Sequence, residues 1–212
     1  MKNGPLFLLG LLVTIAISFV GVVIGSHAQL GNLVPFYDDA EGQAFPQRPS
    51  GIAARGQLVY GDLGCASCHT QQVRRPDFGS DQARGWGDRQ SVARDYIHQS
   101  RPQLGASRLG PDLKNFGARN PVVASELDIL NLLFSGSARH PAYPFLFETR
   151  KVAGEVSAGS FLPAGKTLQS GFELVATERG RSLAAYLLSL TSGYDYPESK
   201  PVVLSKKVEG VK

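Results

Sequence analysis

The sequence predicts a mainly α-helical domain that carries an irregular or β-hairpin insertion and stands behind a single N-terminal transmembrane helix. The first observation behind this prediction is an uncharged apolar run over residues 4–25. The second is a set of segments after residue 50 in which apolar residues recur at helical spacing. The third is the stretch 150–176, whose glycines and alternating apolar residues are typical of a short hairpin or an irregular loop.

Length and composition limit the classes of protein to consider. The chain has 212 residues, of which 42% are hydrophobic and 19% charged, so it can form one folded domain with an anchor. Its formal net charge of +4 is spread along the chain, which does not indicate a nucleic-acid-binding protein. The sequence also contains neither a glycine-rich phosphate loop nor a G-x-S-x-G nucleophile motif.

The apolar run predicts a retained membrane anchor. As a helix, its residues would extend roughly 33 Å, about the thickness of the hydrocarbon core of a bilayer. We therefore place the anchor at 4–26, with 1–3 before it. A cleaved signal peptide is the alternative, but its apolar core would be shorter.

The charges beside the anchor predict its orientation. Lys2 and the amino terminus are positive, whereas Asp38, Asp39 and Glu41 are the first charges on the other side. The positive-inside rule then puts residues 1–3 in the cytoplasm and the folded domain on the periplasmic or extracytoplasmic side. The sequence thus predicts a single-pass protein of the bacterial inner (plasma) membrane.

Beyond the anchor, the sequence divides into three further parts. A proline-containing linker is predicted over 27–50, the helical domain over 51–196 and a C-terminal tail over 197–212. Within the domain we predict helices that start at residue 51 and that cover 88–99, 125–136 and 178–193.

The two cysteines carry the most specific chemical signal. Cys65 and Cys68 are followed directly by His69, which gives the pattern C-x-x-C-H of covalent haem attachment. Two thiols three residues apart can each bond one vinyl group of a haem, and the next imidazole can then ligate the iron. The pattern predicts one covalently bound haem c. A thioredoxin-like C-x-x-C would need a βαβ context, and a zinc site would need four ligands, so both alternatives fit less well.

The stretches around this motif resemble a known family. Those that carry the resemblance are GCASCHTQQVR (64–74), RLGPDLKNFGAR (108–119), PAYPFLF (141–147) and AAYLLSL (184–190). Together with the anchor, they resemble the monohaem cytochrome c membrane subunit (subunit II) of cbb3-type haem–copper oxidases. The resemblance implies a class I cytochrome c-like domain, in which the first and last helices cross near Gly56 and Tyr186.

The resemblance also implies roles for residues near the haem. The carbonyl of Pro111 would accept the Nδ1–H of His69, Arg74 and Arg108 would hold the haem propionates, and Tyr143 would join the haem-binding residues. A solvated surface charge is the alternative for each arginine.

The chain departs from the family at the second iron ligand. The family places a methionine just before Pro-x-Tyr, but this chain has no methionine beyond Met1, and His140 occupies that place. We therefore expect bis-histidine ligation by His69 and His140, and a reduction potential below that of a His/Met relative. His98 and an open sixth position are the alternatives.

The resemblance implies an electron-transfer subunit of a respiratory complex, not catalytic alone. Its partners would be a transmembrane catalytic subunit, which packs on the anchor, and other cytochromes. The alternatives are a free-standing membrane-tethered electron carrier, a nitric oxide reductase-type small subunit and a gas-binding haem sensor.

Overall fold

The computed structural model describes residues 3–119, 125–163 and 165–200. Helix α1 (Gly4–Leu30) is the predicted anchor; it contains 27 residues, no part of its apolar surface is buried, and it is long and apolar enough to cross a membrane. At 1.5 Å per residue it extends about 40 Å. The α-helical Gly4–Phe19 is followed by a π-helical stretch, Val20–Ile24, and by the α-helical Gly25–Leu30, whose last residues lie in the segment that we predicted as linker.

Three helices form the frame of the domain after this anchor. Helix α2 (Gly51–Asp62), helix α3 (Glu126–Ser135) and helix α4 (Glu178–Ser189) each begin at a side-chain cap, from Ser50, Ser125 and Thr177 respectively. The hydroxyl oxygen of a serine or threonine accepts a backbone N–H that would otherwise have no partner at a helix start. The three predicted helices 51 onward, 125–136 and 178–193 are thus confirmed as helical, and the fold is mainly α behind one apolar helix.

Helices α2 and α4 cross in direct backbone contact. A Cβ atom at Gly56 would lie 1.8 Å from the carbonyl oxygen of Ser182, so only glycine permits this approach. Beside the crossing, the rings of Tyr60 and Tyr186 meet edge to face with centroids 5.5 Å apart. Near this crossing, the buried side chains Val59, Leu183 and Leu190 lie in one core, and the partly buried Cys65 packs against it.

Two antiparallel hairpins complete the described structure. Strands β3 (Phe147–Lys151) and β4 (Phe172–Ala176) pair from Phe147 opposite Ala176 to Lys151 opposite Phe172. The hairpin therefore forms the ends of the predicted insertion, with a loop between its strands. It joins α3 to α4 and contributes Phe147 and Leu174 to the core.

The segment between anchor and domain is folded and docked. Strands β1 (Phe36–Asp38) and β2 (Gln43–Phe45) form a short hairpin. The ring of Phe45 stacks on that of Tyr194 with centroids 4.0 Å apart, and the Tyr194 hydroxyl donates to Asp38 Oδ2 at 2.5 Å. We expected an extended linker over 27–50; these contacts hold its hairpin against the domain.

The prediction of a helix over 88–99 was wrong in extent. Only Ala93–Tyr96 forms a single 3₁₀ turn. Before it, the chain runs beside residue 73, where Ser91 N donates to Val73 O and Val73 N donates to Ser91 Oγ. Tertiary hydrogen bonds therefore replace the helical ones. The predicted tail begins with a short turn, Pro197–Ser199, and its residues 201–212 lie outside the described part of the chain.

Candidate haem site

The C-x-x-C-H motif lies on a tight turn directly after α2. Gly64 ends that helix in the left-handed region (φ 70°), and Cys65–Ser67 then form one 3₁₀ turn. The backbone N–H of His69 donates to Cys65 O at 3.0 Å, which closes the turn. Both cysteines are partly buried and not joined in a disulfide. One short segment thus presents two thiols and an imidazole.

Burial raises the pKa of the Cys65 thiol to about 11. A redox-active C-x-x-C pair works through a thiolate whose pKa is lowered, so this environment does not suit thioredoxin-like chemistry. The described residues also contain no group of three or more histidine, cysteine or acidic side chains close enough to hold a metal ion. This part of the chain therefore does not provide the four ligands of a zinc site.

His69 is held by Gly110 and Pro111, which lie next to its ring in the folded chain. Its Nδ1 lies 2.8 Å from the carbonyl oxygen of Pro111, which is the contact that the family resemblance implied. Because a carbonyl oxygen only accepts, Nδ1 carries the proton and Nε2 is left as the ligating atom. Gly110 also packs against the ring, where a Cβ atom would lie 2.2 Å from His69 Cε1.

His140 lies on a tight turn after helix α3. Gly136 ends that helix at φ 65°, and Ser137 N then donates to His140 O at 2.8 Å. His140 Nδ1 lies 2.9 Å from the carbonyl oxygen of Pro141, so this ring too keeps Nε2 for a ligand. Burial lowers the pKa of His140 and favours the neutral imidazole, the form that binds metals.

The two imidazoles face a common space at a distance that suits one metal atom. Their ring centroids are 6.3 Å apart and the ring planes differ by 47°. Two metal–imidazole bonds of about 2 Å each, together with the radii of the rings, add to roughly 6 Å. The spacing between His69 and His140 therefore fits ligation of one iron from both sides.

An apolar cavity of about 400 Å³ lies between these rings. Its volume lies within the range usual for ligand sites, and its apolar character suits the flat face of a porphyrin. Besides the two histidines, the lining residues are Pro111, Leu113, Phe116, Asp128, Ile129, Leu132, Leu133 and Leu187. The cavity thus joins helices α3 and α4 to the segment that holds His69, and the residues present fit a haem.

Of the other predicted residues, Tyr143 lies near His140, whereas His98 lies in another part of the domain. Tyr143 is partly buried; its ring centroid lies 6.0 Å from that of His140, and its N–H donates to Leu133 O at 2.7 Å. His98 is elsewhere: its Nε2 lies 3.0 Å from the carbonyl oxygen of Pro46, in the docked linker. The structure therefore brings His140, and not His98, together with His69.

Arg74 and Arg108 converge on one buried carboxylate. Asp81 is fully buried, and its Oδ1 accepts hydrogen bonds from Arg74 Nη2 at 2.9 Å and from Arg108 Nη1 at 2.5 Å. Burial by itself opposes the charged carboxylate, but these guanidinium hydrogen bonds outweigh it and hold the pKa of Asp81 well below its usual range. Sequence reasoning missed Asp81, because an isolated aspartate in a loop carries no pattern.

Replacing Asp81 by asparagine is expected to destabilise the domain by about 2 kcal/mol, since charge-assisted hydrogen bonds are lost. The wild-type contribution should be present above the usual aspartate pKa of about 3.9 and be lost as the pH falls through the lowered pKa. Thermal unfolding of the detergent-solubilised protein would measure both effects. Asp77→Asn is the control, because Asp77 pairs with Arg75 on the exposed surface. Equal melting temperatures for Asp81→Asn and wild type would contradict this role.

Trp86 lies among three arginines that sequence reasoning did not bring together. The guanidinium carbons of Arg84, Arg108 and Arg119 lie 5.0, 5.8 and 5.8 Å from the centre of its ring. Within the described residues, the buried Nε and Nη2 atoms of Arg119 have no hydrogen-bond partner. Buried donors are normally paired, so this guanidinium is ready to bind an anionic group.

Comparison with known protein families identifies the family of the chain. The family described as "Cytochrome C oxidase, mono-heme subunit/FixO" matches residues 7–167, which is most of the chain. The chain belongs to this family. No curated protein matches the sequence. As a FixO protein it is a membrane-anchored, monohaem cytochrome c subunit of an oxidase, and the catalytic subunits of that oxidase are its partners. Membership confirms the family that the sequence motifs indicated.

Proposed function

We propose that this FixO subunit carries one haem c, bonded to Cys65 and Cys68 and ligated by His69 and His140, and that it transfers single electrons within its oxidase complex. The observation that carries the proposal is the pair of imidazoles, 6.3 Å apart across an apolar cavity. The domain is class I cytochrome c-like, as the close crossing of α2 and α4 at Gly56 supports, and it stands on the periplasmic side of the membrane.

The haem supplies the one-electron iron couple, and the protein sets its potential and geometry. Pro111 and Pro141 each fix one imidazole through a backbone carbonyl, which orients the ring and makes its Nε2 more basic. Leucines and isoleucine of α3 exclude water from the cavity. Two imidazole ligands stabilise ferric iron more than a His/Met pair does, so the subunit exchanges electrons with cytochromes of comparably low potential.

The arginines near Trp86 hold the haem propionates in this proposal. Arg74 and Arg108 both donate to Asp81, and Arg108 Nη2 also lies 3.7 Å from Asp112 Oδ2, so two carboxylates already face these two arginines. Arg119 adds a guanidinium whose buried Nε and Nη2 atoms have no partner among the described residues. Guanidinium–carboxylate hydrogen bonds are strong and can be bidentate, so propionates would satisfy these donors.

Replacing both Cys65 and Cys68 by alanine is expected to abolish covalent haem attachment, because no other cysteine is available in the chain. In wild type, haem should stay with the polypeptide through denaturing electrophoresis and show peroxidase staining at about 23 kDa, near the chain mass of 22.7 kDa. Ser67→Ala, inside the same motif, is the matched control and should keep its stain. A stained band in the double variant would contradict covalent attachment through these thiols.

A further inference from the structure

Lys114 is a buried lysine that the haem site does not use. Its exposed fraction is 3%, and its Nζ makes one hydrogen bond, of 3.3 Å, to the backbone carbonyl oxygen of Asp95. The same ammonium lies 4.1 Å from the centre of the Tyr96 ring. A lysine ammonium has three protons to donate, so one long hydrogen bond and one aromatic face stabilise its charge only weakly.

The groups around Lys114 are of mixed charge. Asp95 is paired with Arg89 at 2.7 Å, and Asp112 accepts a hydrogen bond from the backbone N–H of Lys114. Burial is the largest influence and lowers the pKa of Lys114 to about 8, although Asp95 and Asp112 oppose it. The other ionisable groups that face the same space are Arg48, His98, Tyr96, Tyr186, Tyr194 and Tyr196.

Lys114 lines a second cavity, of about 500 Å³, between the docked linker and the domain. The linker wall of this cavity consists of residues 45–50, of which 47–50 are exposed to solvent. Polar side chains, among them Gln57 and Ser189, line the rest of it. Water can therefore reach the amine from this side, and a proton can be exchanged with the solvent.

The second cavity and the haem cavity share their walls. Leu113 lines the haem cavity, whereas the next residue, Lys114, lines the second cavity. On α4, Leu187 lines the haem cavity and its neighbours Tyr186 and Leu188 line the second. The cavities are thus separated by about one helix diameter, roughly 10 Å. Unit charges at that separation interact appreciably in a protein interior, where salt does not screen them well.

We propose that Lys114 is a proton-binding site coupled to the haem, so that the subunit takes up a proton at Nζ when it accepts an electron and releases it when it donates one. This inference rests on the proposed haem site. In the uptake step, a one-electron donor protein reduces ferric to ferrous iron, and a proton from the solvent converts the neutral amine to the ammonium. Reduction removes one positive charge nearby, which favours protonation of the amine.

The coupling predicts that the haem becomes harder to reduce as the pH rises past the pKa of Lys114. Between about pH 7 and pH 9, the equilibrium constant for reduction should fall, by at most about tenfold per pH unit. Two variants of Lys114 should each show one of the two limiting reduction potentials. Lys114→Met removes the charge and should give the lower, high-pH potential throughout, whereas Lys114→Arg keeps the charge and should give the higher, low-pH potential throughout.

Spectroelectrochemical titration of the full-length protein in detergent at several pH values tests the proposal. The expected result is a pH-dependent wild type, two variants without this dependence, and an unchanged Lys151→Met control, since Lys151 is exposed on β3. A pH-independent wild type, or a Lys114→Met variant that keeps the slope, would overturn the proposal. If the proposed haem site itself were wrong, the protein would show no haem c spectrum to titrate. That outcome can be distinguished from failure of the proposal for Lys114.

Discussion

Replacing Gly110 by alanine is expected to displace His69 and to lose most of the low-spin haem. The added Cβ would lie 2.2 Å from His69 Cε1 and 2.6 Å from Nδ1, so the ring must move away from the carbonyl oxygen of Pro111. Loss of such an outer contact typically weakens metal binding by about tenfold or more. Optical spectra of the purified membrane protein, compared at equal polypeptide concentration, would measure the low-spin fraction.

A second glycine provides the control for this experiment. Gly159 has open space around the position of a Cβ atom and no positive φ, so Gly159→Ala should leave the spectrum unchanged. Carbon monoxide should bind to the reduced Gly110→Ala protein, because a displaced His69 leaves one side of the iron accessible. A Gly110→Ala protein with the wild-type spectrum and no carbon monoxide binding would contradict the close packing of His69 against Gly110 and Pro111.

Replacing His140 by methionine is expected to raise the reduction potential of the haem substantially. A thioether favours ferrous iron more than an imidazole does, and axial ligands tune haem potentials over a range of about 0.8 V. The methionine would stand on the same tight turn, which the hydrogen bond from Ser137 N to His140 O closes. Potentiometric titration would measure the change between the two proteins at one pH.

His98 is the matched control for this exchange. It is partly buried as well, but its Nε2 lies beside the carbonyl oxygen of Pro46 and it lines the second cavity. His98→Met should therefore leave the potential close to that of wild type. If His98→Met shifted the potential and His140→Met did not, the ligand assignment would have to move to His98.

Local patterns in the sequence were sufficient to predict the anchor and three helices of the domain. In α3, Ser125 and Asp128 form reciprocal caps and Gly136 ends the helix, all within one short segment. Such signals depend on neighbouring residues alone. The segment 88–99 has similar periodicity, but Val73, distant in sequence, takes the hydrogen bonds of Ser91. A contact between segments so far apart leaves no local signal.

The same distinction explains what could be predicted of the site. The C-x-x-C-H motif is one short pattern of neighbouring residues, and His140 could be singled out because it stands just before Pro141, where the family that the chain resembles has a methionine. Gly110 lies inside the motif RLGPDLKNFGAR, but its contact with His69 depends on a close approach of the backbone to the ring, which the spacing of residues does not reveal. Asp81 and Arg119 were missed because their roles arise only when separate loops meet around Trp86 and the buried carboxylate.

The ligation of the iron is tested most directly by the EPR and near-infrared spectra of the oxidised full-length protein, recorded for wild type and for His140→Ala. We expect low-spin, bis-imidazole features in wild type, and their loss in the variant while the haem stays covalently attached. A high-spin wild type, or an unchanged spectrum in His140→Ala, would contradict ligation by His69 and His140.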